Sequence, residues 1–260
     1  MVLILFFIGT CIGSFTGALV WRIHNKKNWL TGRSCCESCS HKLAVIDLIP
    51  IISWVSLKGK CRYCRKPIGC SVLVLELLCG VIFALSYMFW PYGTVGLGLL
   101  LFVTWLTVIS VGFILAYFDA KYMILPNGIL LLFFVTVIGF FVLRLFVDRS
   151  TDVLQALLAA ASTFTLFYLL WRVSHGKWIG GGDIKLLPVL CILCGSFLNV
   201  FIMLFLASLA GSIYGVVFAS GMNKKSINHS KQIPFGPFLL AGTFLAILLE
   251  PLLTRYLLYS

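Results

Sequence analysis

An all-α polytopic membrane protein is the fold class this sequence predicts: about eight transmembrane helices, with a small cytoplasmic zinc-knuckle loop after helix 1. Three observations carry that expectation. Of 260 residues, 61% are hydrophobic and the mean hydropathy is +1.06, more apolar surface than a soluble domain of this size needs. Apolar runs long enough to cross a bilayer recur from one end of the chain to the other. Of the 20 Lys and Arg residues, 17 cluster in four segments that flank those runs, and only Arg144, Arg149 and Arg255 fall elsewhere.

Taken in order, the apolar runs cover about 2–21, 71–90, 94–117, 127–147, 153–171, 184–199, 200–220 and 236–257. The first carries its charged flank (Arg22, Lys26, Lys27) on the C-terminal side, so it reads as a retained helix and not as a cleaved signal. Its Gly9, Gly13 and Gly17 fall four apart on one face, the pattern by which small residues let two helices approach closely. The runs 184–199 and 200–220 are separated only by the turn-forming stretch Ser196 to Asn199. Three divisions follow: helix 1 (1–21), a cysteine-bearing loop (22–70) and the remaining transmembrane domain (71–260).

Charge sets the orientation. With the N-terminus outside, the loops 22–70, 118–126, 172–185 and 221–235 are cytoplasmic and hold 10, 1, 3 and 3 of the 20 Lys and Arg residues. That is the positive-inside bias, and it accounts for the net charge of +12 without a nucleic-acid partner. Asp119 and Asp183, on different apolar segments, then lie at the same cytoplasmic depth. Ionisable groups at such a boundary are costly and mark function. Two carboxylates that meet there share a proton and can activate water. Asp183 ends the run Gly180-Gly181-Gly182, where missing side chains let a substrate backbone approach, and Lys185 follows two residues on.

The loop 22–70 carries Cys36-x-x-Cys39 and Cys61-x-x-Cys64, separated by 21 residues. Paired knuckles of this kind read as a four-thiolate zinc site whose metal supplies folding energy to a loop with no core of its own. Cys35 adjoins Cys36 and is an alternative ligand, and a redox pair is the alternative chemistry. Cys191-x-x-Cys194 repeats the spacing inside an apolar run, where packing is the expected role. His24, His41, His175 and His229 fall in loops and are expected to be solvated.

In this order along one membrane chain, the motifs resemble the type IV prepilin peptidase family, which includes late-competence processing proteases. The resemblance rests on Gly13-Ser14-Phe15 leading to Arg22, and on the cysteine loop with Asp47-Leu48-Ile49-Pro50-Ile51-Ile52-Ser53-Trp54 and Lys58-Gly59-Lys60-Cys61-Arg62-Tyr63-Cys64. It continues through Glu76, Asp119 with Leu125-Pro126-Asn127, Gly180-Gly181-Gly182-Asp183-Ile184-Lys185-Leu186, and Ile233-Pro234-Phe235-Gly236-Pro237. Two positions depart from the family's usual pattern: Gly17, often Asn, and Asn127, often Asp.

The residues themselves place the glycine run as positioning substrate, and Lys185 as either positioning it or packing at the interface. The resemblance implies an aspartic endopeptidase of the bacterial cytoplasmic membrane, with Asp119 and Asp183 catalytic. Its substrates would be prepilins or pseudopilins, cleaved after a short basic leader. It also implies N-methylation of the new N-terminus with S-adenosylmethionine, for which Glu76 is the candidate contact. No Gly-x-Gly-x-x-Gly fingerprint supports that second activity from the residues themselves. A peptidase without methyl transfer, a proton-coupled transporter and a zinc-bearing membrane scaffold are the alternative readings.

Overall fold

The computed structural model describes residues 1–28, 33–148, 152–220 and 234–259. Lys224, Lys225, Lys231, Arg149, His229 and Ile233, which enter the charge, histidine and motif readings above, lie outside them, as does the side chain of Arg255. The described residues are helical, with no named strand. The helices are α1 (Val2–His24), α2 (Ile52–Ser56), α3 (Cys70–Met88), α4 (Leu97–Tyr122), α5 (Asn127–Val147), α6 (Val153–Val173), α7 (Gly181–Cys194), α8 (Phe197–Ser220) and α9 (Gly236–Tyr259), with a 3-10 turn at Val45–Leu48. Helix is the conformation that satisfies every backbone polar group within one segment, which a bilayer demands.

Each of the apolar runs forms a helix, but not all have the length of a span. Six helices (α1, α3, α4, α5, α6 and α8) are long and apolar enough to cross a membrane. α9 has 24 residues, whereas α7 has only 14. At about 1.5 Å per residue α7 reaches roughly 21 Å, short of the ~30 Å hydrocarbon core. Its surroundings explain how so short a helix is kept. Leu186, Leu187, Leu190, Cys191, Leu193 and Cys194 are all fully buried, and α7 packs on α5, α6 and α9. Cys191 and Cys194 are thus packing residues, with the Cys194 thiol 3.9 Å from the Met203 sulfur.

The chain divides into two compact units, residues 1–90 and 91–260. In the first, α1 packs along α3 at backbone distance. A methyl added at Gly13 would lie 2.8 Å from the Glu76 Cα, and one at Gly9 2.7 Å from the Cys79 carbonyl oxygen. Gly17, by contrast, meets only the Val72 and Leu75 side chains at ordinary contact. The expected close-packing face is therefore Gly9 and Gly13.

In the second unit the core centres on Trp105 of α4, fully buried against Phe140 of α5 at 5.5 Å and edge-on to Phe244 of α9 at 5.7 Å. A buried polar cluster closes one end of this unit. Arg144 of α5 donates twice to the Glu250 carboxylate of α9, at 3.0 and 3.1 Å, and lies 3.7 Å from Asp148, which accepts from the Tyr92 hydroxyl. A buried guanidinium needs such partners, because an unpaired charge in an apolar bundle is strongly destabilising.

The helix ends differ from the sequence expectation where the acids lie. α4 runs three residues past Asp119 and ends on Met123 in the left-handed conformation. α7 begins at Gly181, so Asp183 lies in its first turn and not in a preceding loop. The turn between α7 and α8 is Gly195-Ser196. Gly195 takes a φ of 73°, and the Ser196 hydroxyl accepts from the Asn199 backbone.

Gly13→Ala is expected to destabilise the α1–α3 pair by about 1–3 kcal/mol, the scale of overpacking against a backbone. Gly17→Ala is expected to change stability by less than about 0.5 kcal/mol. Thermal unfolding of the two variants in one detergent checks the contrast.

Candidate active site and metal centre

Cys36, Cys39, Cys61 and Cys64 converge, with all four sulfurs within 4.8 Å of one another. The Cys36 and Cys64 sulfurs are 3.9 Å apart. A tetrahedral zinc with Zn–S bonds of about 2.3 Å has ligand edges of roughly 3.8 Å, so the four thiols fit that ion. Cys35 is outside the cluster and pairs its backbone with Lys42 instead.

The loop is built as a duplication that cysteine spacing alone did not expose. A shift of 25 residues carries one knuckle onto the other. Cys36 N–H donates to the His41 carbonyl and Cys61 N–H to that of Lys66. Ser40 N–H donates to the Cys36 carbonyl and Arg65 N–H to that of Cys61. Ser40 and Arg65 both take positive φ, 56° and 60°, and the bridge Cys35–Lys42 is matched by Lys60–Pro67. The repeated Cys-x-x-Cys followed by one more polar residue was the available signal.

Side chains tie the halves together. Asp47 accepts from Arg62 Nε at 2.7 Å and from the Tyr63 hydroxyl at 3.3 Å, while His41 packs on the Tyr63 ring at 3.7 Å between centroids. Trp54 packs over Gly59, where a Cβ would lie 2.7 Å from the indole and φ is +66°, so only glycine suits. Electrostatics follow from this packing. Burial pushes the Cys36 thiol up, but hydrogen bonds from the Cys39 and Ser38 backbone and from the Cys39 and Cys61 thiols outweigh it and bring it down to about 7. Cys39 also accepts from the His41 backbone, which lowers its thiol, yet burial and the adjoining Cys36 and Cys64 sulfurs drive it up to about 11. One thiol of the set is thus primed to give up its proton near neutral pH, as metal uptake requires. Burial raises the Asp47 carboxyl, but the Arg62 guanidinium and the Ala44 N–H hold it below the usual carboxylate range. Burial and the Asp47 charge push the Tyr63 hydroxyl up.

Glu76 lies in the second turn of α3, 5% exposed, and accepts a 2.7 Å hydrogen bond from the Ile51 N–H. Ile51 is held at a φ of 61°, unusual for a β-branched residue. That contact ties α3 to the loop, and one carboxylate is not by itself a site for S-adenosylmethionine.

Both acids lie in the second unit. Asp119, in the last turn of α4, and Asp183, in the first turn of α7, are 8% and 9% exposed and close enough for the charge of one to act on the other. Each rests on the N-terminus of a helix. Asp119 Oδ2 accepts a 2.9 Å hydrogen bond from the N–H of Gly236, the first residue of α9. The Asp183 carboxylate folds back onto Gly180 at the start of α7, where an added Cβ would sit 3.1 Å from Oδ2. Unsatisfied N–H groups and the dipole at a helix start favour an anion, which is how an apolar bundle keeps two carboxylates.

The glycines of the run are not equivalent. Gly180 faces the Asp183 carboxylate, Gly182 faces Leu125 with a Cβ clearance of 2.8 Å, and Gly181 opens onto empty space. Lys185 donates to the Asn127 side-chain oxygen at 3.1 Å, joining α7 to the start of α5. Gly236, quoted above only as part of a motif, is the residue whose role the sequence left unassigned. A Cβ there would lie 2.7 Å from Asp119 Oδ2, and the Pro-Phe-Gly-Pro run before the last apolar segment was the signal for it.

The sequence matches the bacterial peptidase A24 N-terminal domain over residues 7–90 and the type IV leader peptidase family over residues 106–216. A prepilin leader peptidase/N-methyltransferase of Dichelobacter nodosus is 32% identical over 85% of this chain and 72% of its own length. The chain belongs to the type IV leader peptidase family. Another member, the prepilin leader peptidase/N-methyltransferase of Bacillus subtilis, is 31% identical over 95% of this chain and 94% of its own length. One from Aeromonas salmonicida is 31% identical over 88% of this chain and 75% of its own. No solved structure matches the chain. The family's N-terminal domain ends at residue 90, which is also the last residue of the first compact unit.

The Asp47–Arg62 pair gives the loop a pH dependence of definite sign. Because the folded carboxyl is depressed, its contribution is complete above the ordinary carboxylate pKa of about 4 and is lost as pH falls through the folded value. Limited proteolysis of the 33–69 segment should therefore accelerate on acidification in the native protein. An Asp47→Asn variant should lack that part of the response and be cut faster at neutral pH.

Proposed function

We propose that this chain is a membrane aspartic endopeptidase that cleaves the leader from prepilin-like proteins at the cytoplasmic face of a bacterial membrane, with N-methylation of the new N-terminus following. The observation that carries the protease reading is the pairing of Asp119 and Asp183, buried together with a helix N-terminus behind each. The name the relatives share supports the prepilin substrate and the second activity. The charge asymmetry of the loops supports the cytoplasmic orientation.

The chemistry runs on one proton between two acids. The ionised carboxylate takes a proton from a water molecule, whose oxygen attacks the scissile carbonyl carbon. The protonated partner hydrogen-bonds the carbonyl oxygen and then gives its proton to the departing amine as the C–N bond breaks. Gly236 N–H occupies one oxygen of Asp119 and fixes that carboxylate while the proton moves. Gly181, with open space above it, offers the place where an extended substrate backbone lies closest to Asp183. Lys185, linked to Asn127, holds the starts of α7 and α5 together beneath that backbone. A prepilin's apolar segment, lying in the bilayer, brings its leader junction to this depth. In the first unit the four thiols would hold a zinc ion that supplies folding energy to the loop.

Asp119→Asn and Asp183→Asn each keep the side-chain shape and remove the acid. Either is expected to lower prepilin cleavage by about a thousandfold or more, the scale of lost acid–base catalysis. The readout is product mass from purified enzyme and a prepilin. Methyl transfer to a pre-cleaved pilin should survive in Asp183→Asn, because a methyl group moves to a neutral amine without a proton-sharing acid pair. Loss of both activities in a folded variant would join the two sites. Absence of methylation in the native protein would leave the peptidase alone.

Elemental analysis should find about one zinc per chain, as one four-thiolate site requires. Cys36→Ser should abolish it and Cys35→Ser should not, with a metal-free yet folded and active protein as the contrary result.

A further inference from the structure

The loop of the first unit exposes an apolar face that its fold does not use. Val45 and Ile46 are 82% and 64% exposed, and Ile52 and Val55 are 61% and 58% exposed. Asp47, between them in sequence, turns inward to Arg62 and Tyr63. These residues lie outside the candidate spans, so their exposure is not that of a lipid-facing transmembrane helix. Their position is set by one contact. Ile51 N–H is bonded at 2.7 Å to Glu76, which lies in the second turn of α3, a candidate span beginning at Cys70. The stretch around Ile51 is therefore pinned beside the N-terminal part of a candidate membrane-spanning helix. Basic residues surround it in sequence: Lys26 and Lys27 beyond α1, and Lys42, Lys58, Lys60, Arg65 and Lys66 in the knuckles. Between residues 22 and 70 the acids are only Glu37 and Asp47.

We propose that the Val45–Val55 stretch is an interfacial anchor, with its apolar side chains seated at the headgroup–acyl boundary of a bilayer and the knuckle lysines and arginines on anionic phospholipid headgroups. Apolar groups beside clustered cations are the composition that binds such a surface, each part contributing separately. The backbone geometry suits this. The Glu76 carboxylate satisfies the Ile51 N–H where water is scarce, at a residue whose φ of 61° turns the chain between the two exposed pairs. The anchor would hold the metal loop against the membrane surface. The inference does not depend on the peptidase reading or on which side of the cell membrane the loop faces.

The test is hydrogen exchange of the full chain in lipid nanodiscs, which expose both leaflets and so make the outcome independent of orientation. Backbone amides of residues 45–56 should exchange about tenfold more slowly in nanodiscs containing phosphatidylglycerol than in pure phosphatidylcholine nanodiscs or detergent micelles. Ile46→Asp with Ile52→Asp should abolish the slowing while the zinc content, measured in the same sample, stays unchanged. Should that pair fail to hold zinc, Lys58→Gln with Lys66→Gln keeps the apolar face and should remove the dependence on anionic lipid. Equal exchange in the three environments would overturn the proposal. So would protection that appears only on adding a prepilin, which would give the face to substrate, or protection as strong in detergent, which would give it to another protein surface.

Discussion

The hydrogen bond from Gly236 N–H to Asp119 joins two problems that an apolar bundle has to solve at once. A carboxylate placed among apolar helices needs a donor, and a helix that begins among apolar neighbours needs an acceptor for its first N–H groups. Asp119 and α9 answer each other. Asp183 does the same for α7 from within its own first turn, folding back onto Gly180. Gly236 and Gly180 have no side chain for the same reason: the carboxylates occupy the space in which a Cβ would stand. Moving the start of α9 would leave the buried Asp119 without its dipole, so the positions of α4 and α9 are coupled through this contact, while Asp183 caps the helix that carries it.

The other end of the second unit repeats the logic with the sign reversed. Arg144 comes from the last turn of α5, where a cation suits the helix dipole, and is held by Glu250 of α9 and by Asp148. α9 is thereby fastened through two polar contacts, to Asp119 at Gly236 and to Arg144 at Glu250, with Phe244 against Trp105 between them. Rigid placement of this kind is what the proposed acid–base role of Asp119 would need, since such chemistry falls off steeply with misplacement.

The first unit rests on different physics. Its loop has almost no buried apolar side chains, and local order comes from a duplicated turn, four converging thiols and the Asp47–Arg62–Tyr63 clamp. The helices that carry it approach at backbone distance through Gly9 and Gly13, and Glu76 reaches from α3 to hold the loop at Ile51. Glu76 thus connects a candidate membrane helix to the segment that carries the four thiols.

Much of this was legible in the residues. Hydrophobic run length located the helices to within a few residues, because a bilayer tolerates little else, and Cys-x-x-Cys spacing located the four converging thiols, because two short knuckles can reach one point. What the sequence could not determine was decided by approach between distant segments. That Cys36 and not Cys35 joins the cluster depends on which thiol faces inward after the knuckle turns. Gly236 is 117 residues from Asp119, and nothing local in either segment states their contact. The length of α7 was likewise overread, since a helix enclosed by α5, α6 and α9 keeps an apolar run from Leu186 to Cys194 without reaching span length. Local chemistry fixes which atoms can bond. Only packing decides which of them arrive, because burial of a polar atom is tolerated just where another segment brings it a partner.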